Sequence, residues 1–321
     1  MNDVIITGAT GFIGSNLCRQ LSKNKTDVHI FTTNKSNFWR LNDIITKIHV
    51  HTVDLVKYSQ VQKKILEINP KYIFHCASYG VHPKELIFQK MVNVNINGTR
   101  NLLDATSELS NFKKFINLSS YFEYSHKQDK LKESDLTQPI TLYGISKLLQ
   151  TNLVRYYSLK KNIPSVNLRI FTPYGKFDEP GRLINSIMLS IINKKNIILF
   201  SKNSKRDFIH IDDVISALIH SAKSKFSNSE IFNIGSGNSY SVEKIINLCK
   251  KLINDSNTKI IWKIKHREFD LLGGGGYSDN TKTIKNLNWK PKISLEAGLQ
   301  MSHKWYKMNH GLYKNNKCLR I

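Results

Sequence analysis

Val4-Ile5-Ile6-Thr7-Gly8-Ala9-Thr10-Gly11-Phe12-Ile13-Gly14 opens the chain and decides how its fold is read. Four apolar or β-branched residues predict a short buried strand. Three glycines follow in a G-x-x-G-x-x-G spacing, and residues 15–21 read as a helix. A strand, a tight turn and a helix N-terminus bring bare backbone amides and the positive end of a helix dipole together. That arrangement receives a pyrophosphate. A glycine pattern carries weight only in this context, and here the context is complete.

Strand-like and helix-like segments alternate from there to about residue 175. Residues 28–31, 49–53, 72–77, 115–118 and 166–170 read as strands. A helical segment stops at Asn69-Pro70, and helical periodicity spans about residues 91–107. Such alternation predicts an α/β, Rossmann doubly wound parallel sheet. After Pro173 short strands, loops and helices mix. Residues 206–211 and 231–235 read as returns to the main sheet, residues 273–276 as a glycine loop, and residues 295–308 as a last helix. The expected organisation is a dinucleotide-binding domain over residues 1–172, with returns near 206–235. Residues 173–321 form mainly a smaller, interleaved substrate-binding lobe.

The chain has 48 Lys+Arg against 24 Asp+Glu, a net charge of +24 in 321 residues. The lysines are spread throughout, no basic block alternates with aromatics, and no nucleic-acid motif occurs, so no nucleic-acid partner is expected. A diffuse positive field would instead attract a small dianionic substrate. No apolar run approaches the roughly 20 residues of a membrane span, so no membrane partner is expected. No basic stretch precedes the first strand, so no signal peptide is expected. Cys18, Cys76, Cys249 and Cys318 are scattered without metal-ligand spacing. The expectation is reduced thiols in a cytoplasmic protein and no metal.

Tyr143-Gly144-Ile145-Ser146-Lys147 is the second informative stretch. On a helix, positions i and i+4 share a face. An ammonium beside a phenol would favour the phenolate and lower its pKa, making the phenol a usable acid or base. Ser120, at the end of a predicted strand, could hydrogen-bond the same substrate oxygen.

With Asp54-Leu55, Asn95-Ile96-Asn97-Gly98-Thr99, Leu118-Ser119-Ser120, Arg206-Asp207-Phe208 and Tyr277-Ser278-Asp279 added to these two stretches, nearly the whole chain resembles the extended short-chain dehydrogenase/reductase superfamily. The branch it resembles is the nucleotide-sugar epimerase/dehydratase family. The resemblance implies roles by position. Gly8, Thr10, Gly11, Phe12, Ile13 and Gly14 would surround the cofactor pyrophosphate. Asp54 and Leu55 would hold the adenine, and Ala77 and Ser78 would pass near the riboses. Ser120, Tyr143 and Lys147 would form the catalytic triad, with Lys147 also on the nicotinamide ribose. Tyr79, His82, Tyr121 and Thr172 would face the sugar, and Arg206 and Arg267 would grip the substrate diphosphate. The resemblance also implies a homodimer and a place in surface-polysaccharide biosynthesis.

Departures from that family narrow the reaction. Its sugar 4,6-dehydratases carry an Asp-Glu pair directly after the catalytic Ser or Thr. Here Tyr121 and Phe122 stand there, and Glu123 falls one place too late on a segment read as extended. No carboxylate follows the second strand, where an NAD enzyme usually holds the ribose 2′-hydroxyl. Lys35, Ser36 and Arg40 could take a 2′-phosphate instead, which favours NADP(H) over NAD(H). Residues 77–83 and the Tyr121-Phe122 pair resemble most the reductases of CDP-linked 4-keto dideoxy sugars, the abequose and paratose synthases. The expected activity is NADPH-dependent reduction of the C4 keto group of a nucleotide-linked sugar. A nucleotide-sugar 4-epimerase with tightly bound NAD and a non-enzymatic NADP-binding regulator are the alternatives.

Overall fold

The computed structural model describes residues 3–24, 26–81, 85, 87–199, 201–226, 228–254, 257–263 and 275–314. His82, Arg267 and residues 273 and 274 of the glycine loop lie outside the described residues.

The first strands are β1 (Val4–Thr7), β2 (Val28–Thr32), β3 (His49–Thr52), β4 (Tyr72–His75) and β5 (Lys114–Ser120). A two-residue β6 (Lys130–Leu131) precedes β7 (Ser165–Ile170), and β8 (Thr172–Tyr174) follows one residue later. The C-terminal half adds β9 (Ile197–Leu199), β10 (Lys205–Arg206), β11 (Phe208–His210), β12 (Glu230–Ile234), β13 (Tyr240–Ser241), β14 (Ile260–Trp262) and β15 (Tyr277–Ser278). Seven strands form one sheet in the order β12-β7-β5-β4-β1-β2-β3, and every pairing in it is parallel.

The helices are α1 (Phe12–Lys23), α2 (Tyr58–Ile68), α3 (Phe88–Met91), α4 (Gly98–Thr106), α5 (Leu142–Lys160), α6 (Leu183–Ile192), α7 (Ile211–Lys223) and α8 (Val242–Ile253). Alternate residues of β1 point to opposite faces. Val4 and Ile6 pack with Leu17 and Leu21 of α1 and Val214 and Leu218 of α7. Ile5 packs with Val61 of α2, Leu102 of α4 and Val154 of α5. Helices on both faces explain why β1 is buried throughout and why Val4, Ile5 and Ile6 are apolar in succession. A separate core gathers Tyr174, Ile187 and Met188 of α6, Ile245 of α8, and Leu299 and Tyr306 of the helix Leu295–Asn309. No helix among the described residues is long and apolar enough to cross a membrane.

Two expectations change. Residues 231–235 do return to the main sheet as its β12 edge, but 208–210 do not. The chain bends away at Phe171, whose amide bonds Ile234 O, and β8 then pairs in parallel with β11 outside the main sheet. The helical segment expected over 91–107 also begins earlier and is not one regular helix. A π-helical turn, Val92–Asn97, joins α3 to α4. Asn95 explains its value. Fully buried, it accepts from Tyr79 N (2.8 Å) and donates to Tyr79 O (2.9 Å) and to Ser146 Oγ (2.9 Å). The wide turn carries one polar side chain inward to clamp a loop and a helix, a common use of π turns near sites.

Candidate active site

The glycine turn is built by close approach. Gly8 has φ +64°, and a Cβ there would lie 2.5 Å from Ala77 N. A Cβ on Gly14 would lie 2.3 Å from Gly8 O. Side chains at either position would push the turn off β4 or off α1. Gly11 N donates to Gly8 O (3.0 Å), and Gly11 caps α1 with no side-chain bond. The first amides of α1, at Phe12, Ile13 and Gly14, are therefore left for an outside acceptor. This cradle fits a dinucleotide pyrophosphate.

Arg40 buttresses the turn. It is 5 % exposed, and its guanidinium donates to Phe177 O (2.8 Å), Thr10 O (3.3 Å) and the Glu179 carboxylate (2.7 Å). The expectation that Arg40 takes a 2′-phosphate is corrected, because its donors are held by two carbonyls and a carboxylate. At the end of β2, Lys35 is exposed, Ser36 Oγ accepts from Thr33 N, and no carboxylate lies between Thr32 and Arg40. Asp54 turns its carboxylate to Val56 N (3.1 Å). Leu55 packs against Gly98, with its carbonyl held by Asn101.

A buried polar chain links the turn to Lys147. Thr99 Oγ1 donates its one proton to Asn95 O (2.6 Å) and accepts from Gln150 Nε2 (3.0 Å), so its contact with His75 Nε2 (2.8 Å) must be donated by the imidazole. His75 Nδ1 then accepts from Thr7 Oγ1 (2.7 Å), which in turn accepts from Ala77 N (3.3 Å). Burial, aided by the Lys147 charge, pushes the His75 pKa down to about 3, so the ring is neutral. Lys147, 2 % exposed, donates to Leu118 O (2.6 Å) and to Gln150 Oε1. Burial lowers its pKa to about 8, against the charges of Glu123 and Cys76.

Tyr143 stands in the first turn of α5, which Thr141 caps by accepting from Gly144 N (3.0 Å). Burial raises its phenol to about 12, while the Ser78 and Ser120 hydroxyls facing it pull the other way. This corrects the expectation that Lys147 lowers it, because the ammonium is drawn to the Leu118 carbonyl and Gln150. Ser120 Oγ accepts from Phe122 N (3.2 Å), which leaves its own proton to donate. Tyr121 stacks on Phe171 (5.2 Å between ring centres), and Phe122 meets Tyr143 edge-on (5.8 Å). Ser78, Ser120 and Tyr143 thus converge at the carboxyl ends of β4 and β5, beside an aromatic wall.

Glu123 lies in a 3₁₀ turn, Tyr121–Glu123, and not on an extended segment. It is fully buried, accepting from Arg169 Nε (2.9 Å) and Thr151 Oγ1 (2.8 Å), so it is a structural ion pair turned away from the site. Lys90 sits over the Tyr79 ring (4.3 Å). Thr172 Oγ1 is buried with no hydrogen-bond partner among the described residues. Arg206 is half-buried in β10, opposite Tyr240. Its neighbour Asp207 accepts from the amides and hydroxyls of both Ser236 and Ser278 and from Gly237 N. Arg182 was not anticipated. It pairs with Asp178 (3.5 Å), lies 5.8 Å from the Phe12 ring, and its charge lowers the Tyr143 pKa. No local pattern in Pro180-Gly181-Arg182 announces it.

A sequence model described as the NAD dependent epimerase/dehydratase family matches residues 4–235. The chain is 27 % identical over 336 residues to a UDP-glucuronate 4-epimerase of Thermodesulfobacterium geofontis, covering 99 % of this chain and 100 % of that one. It is 26 % identical over 311 residues to a dTDP-4-dehydro-6-deoxyglucose reductase of Escherichia coli, covering 93 % and 95 %. The crystal structure of UDP-glucuronic acid 4-epimerase from Bacillus cereus in complex with NAD is similar with a TM-score of 0.83 at 26 % identity, covering 99 % of each chain.

Proposed function

The chain belongs to the NAD dependent epimerase/dehydratase family, and on that premise we propose that it reduces the C4 keto group of a nucleotide-linked deoxysugar with NADPH. The observation that carries this reading is the convergence of Ser78, Ser120 and the Tyr143 phenol beside the glycine turn, against a wall of Tyr121, Phe122 and Phe171. A nicotinamide dinucleotide, which the glycine turn and the first amides of α1 would hold, would supply the hydride. Tyr143, protonated at neutral pH, gives its proton to the oxygen that becomes a hydroxyl. Ser120 donates a hydrogen bond to that oxygen and stabilises its growing charge. Lys147, anchored on Leu118 O and Gln150, adds a positive charge beneath the site and would meet the nicotinamide ribose.

The aromatic wall suits the methyl carbon of a deoxysugar. It also offers no acid and base pair for loss of water. Thr172 and Tyr79 would contact the sugar, and Arg206 the diphosphate; His82 and Arg267 keep the roles that the resemblance assigns them. Lys35 and the absence of a carboxylate after β2 support a 2′-phosphate, now with Ser36 alone beside it. A 4-epimerase that uses the same groups with tightly held NAD is the second reading, supported by relatives that bear that name.

The α5 helix exposes Leu142, Ile145, Leu149, Tyr156 and Leu159, spaced to form one stripe. Pairing of two copies along this stripe accounts for that surface. Cytoplasmic location and supply of sugars for surface polysaccharide go with the same reading.

The test is incubation with CDP-, GDP-, UDP- and dTDP-linked 4-keto-6-deoxysugars and either NADPH or NADH. Nicotinamide absorbance should fall in step with formation of a 4-hydroxy sugar, faster with NADPH. Interconversion of C4 epimers without net loss of absorbance would replace the reductase by the epimerase. Loss of water from a plain nucleotide hexose would overturn both.

A further inference from the structure

Toward the amino end of the sheet, away from the glycine turn, a group of donor atoms converges that the reaction does not use. Parallel pairing sets His29 of β2 beside His49 of β3, and Phe31 beside His51. Residues two apart on a strand share a face, so His29, His49 and His51 stand together. Their face is the one that carries Ile5, the residue beside His29, and is covered by Val61 and Ile65 of α2. Asp27 lies just before β2. His49 Nε2 is 2.8 Å from Asp27 Oδ1, and His29 Nε2 is 3.5 Å from Asp27 Oδ2. One donor atom from each of the three residues lies within 4.8 Å of the others. Zinc bonds of about 2.0–2.2 Å to nitrogen and oxygen place tetrahedral ligand atoms about 3.3 Å apart. The carboxylate already stands near that distance from both imidazoles.

His51 distinguishes this group from a chance cluster. Its Nε2 is 2.9 Å from His29 Nδ1. A metal on His29 Nε2 leaves the ring proton on Nδ1, which donates it to His51 Nε2. Ligating histidines are held in this way, by a polar partner on the second nitrogen that fixes tautomer and ring plane. The rings are ordered by stacking, His29 on His49 at 4.7 Å and on His51 at 5.2 Å. The charged groups around them are balanced: Lys64 pairs with Glu67, and Lys71 with Asp3. His49 is 60 % and Asp27 48 % exposed, so an ion and water can enter.

We propose that Asp27, His29 and His49 bind one divalent transition-metal ion, best matched by zinc, with water completing the coordination. Two imidazoles and one carboxylate suit zinc better than magnesium or calcium, which prefer all-oxygen sets. The ion would tie β3, the edge strand, to β2, where the sheet has a neighbour on one side only. Its ligands precede the carboxyl ends of the strands, so its binding is read independently of the reaction.

The test uses untagged full-length protein stripped with chelator. Zinc uptake is followed by calorimetry, and cobalt substitution by visible absorption. One ion per chain at micromolar zinc is expected, with the visible bands of low-coordinate cobalt. H49A and D27N, both at exposed positions, should weaken binding at least tenfold with an unchanged circular dichroism spectrum. H51F should weaken it by about 10- to 100-fold while leaving the ligands in place. No uptake at micromolar zinc, or binding in H49A and D27N equal to wild type, would overturn the proposal.

Discussion

Two side chains in the site sit in environments that pull against their ordinary chemistry. Tyr143 is held as a phenol by burial, with the Ser78 and Ser120 hydroxyls opposing it. It therefore keeps its proton at neutral pH. Tyr143→Phe should lower turnover by about 10²–10⁴-fold and leave dinucleotide affinity nearly unchanged, as read by steady-state rates beside calorimetry. A variant above a tenth of the wild-type rate would assign the proton to another group. Lys147 has a folded pKa of about 8, below its ordinary value of 10.5. Between those values the unfolded chain binds more protons than the folded one, so this lysine makes stability rise with pH across that window. Lys147→Met removes the rise. Comparing urea unfolding at pH 7 and pH 10, wild type should gain on the variant by up to about 3 kcal/mol. Lys114, which burial also lowers to about 8, is present in both proteins and cancels.

Elements meet in this fold where small or polar residues let backbones close in. The turn between β1 and α1 exists because Gly8 and Gly14 leave room for Ala77 and for each other. Gly14→Ala should reduce dinucleotide affinity at least tenfold, because its Cβ would displace Gly8 O; wild-type affinity by calorimetry would show that the turn relaxes at no cost. The π turn before α4 serves the opposite need, bringing Asn95 inward to hold both the Tyr79 loop and Ser146 of α5. Asn95→Leu leaves the part-buried amide and carbonyl of Tyr79 without this partner and takes one of two bonds from Ser146 Oγ, which keeps Tyr143 O; it should cost about 2–4 kcal/mol of stability. Denaturant unfolding checks this, and a loss below 1 kcal/mol would mean that the loop finds new partners.

Across the whole molecule, the glycine turn and the C-terminal half are locked together. Arg40 joins Thr10 O to Phe177 O and Glu179, and Asp207 gathers Ser236, Gly237 and Ser278. Beyond one chain, the apolar stripe on α5 leaves large side chains in water, with Leu159 62 % exposed. Leu149→Glu puts a charge in the middle of that stripe. Light scattering should find wild type at twice the chain mass and the variant at the chain mass. A monomeric wild type would refute the pairing.

The sequence by itself determined the sheet-and-helix alternation and the glycine turn. These depend on residues near one another in the chain: apolar runs, glycine spacing and a Tyr-x-x-x-Lys step on one helix. It also determined that two aromatic residues, Tyr121 and Phe122, and no carboxylate directly follow Ser120. What a side chain touches across the fold was not legible in it. Arg40 read as a phosphate ligand until the 172–182 segment brought Phe177 O and Glu179 to it. The Lys147 ammonium read as a neighbour of the Tyr143 phenol until Leu118 O and Gln150 took it. Residues 208–210 read as a strand of the main sheet until the bend at Phe171 paired them with β8. His29 and His49 are twenty residues apart with no metal spacing, and only the register of β2 on β3 makes them neighbours. Periodicity and turn chemistry are local and survive in one dimension, whereas hydrogen-bond partners and donor clusters are set by strand register and long-range packing.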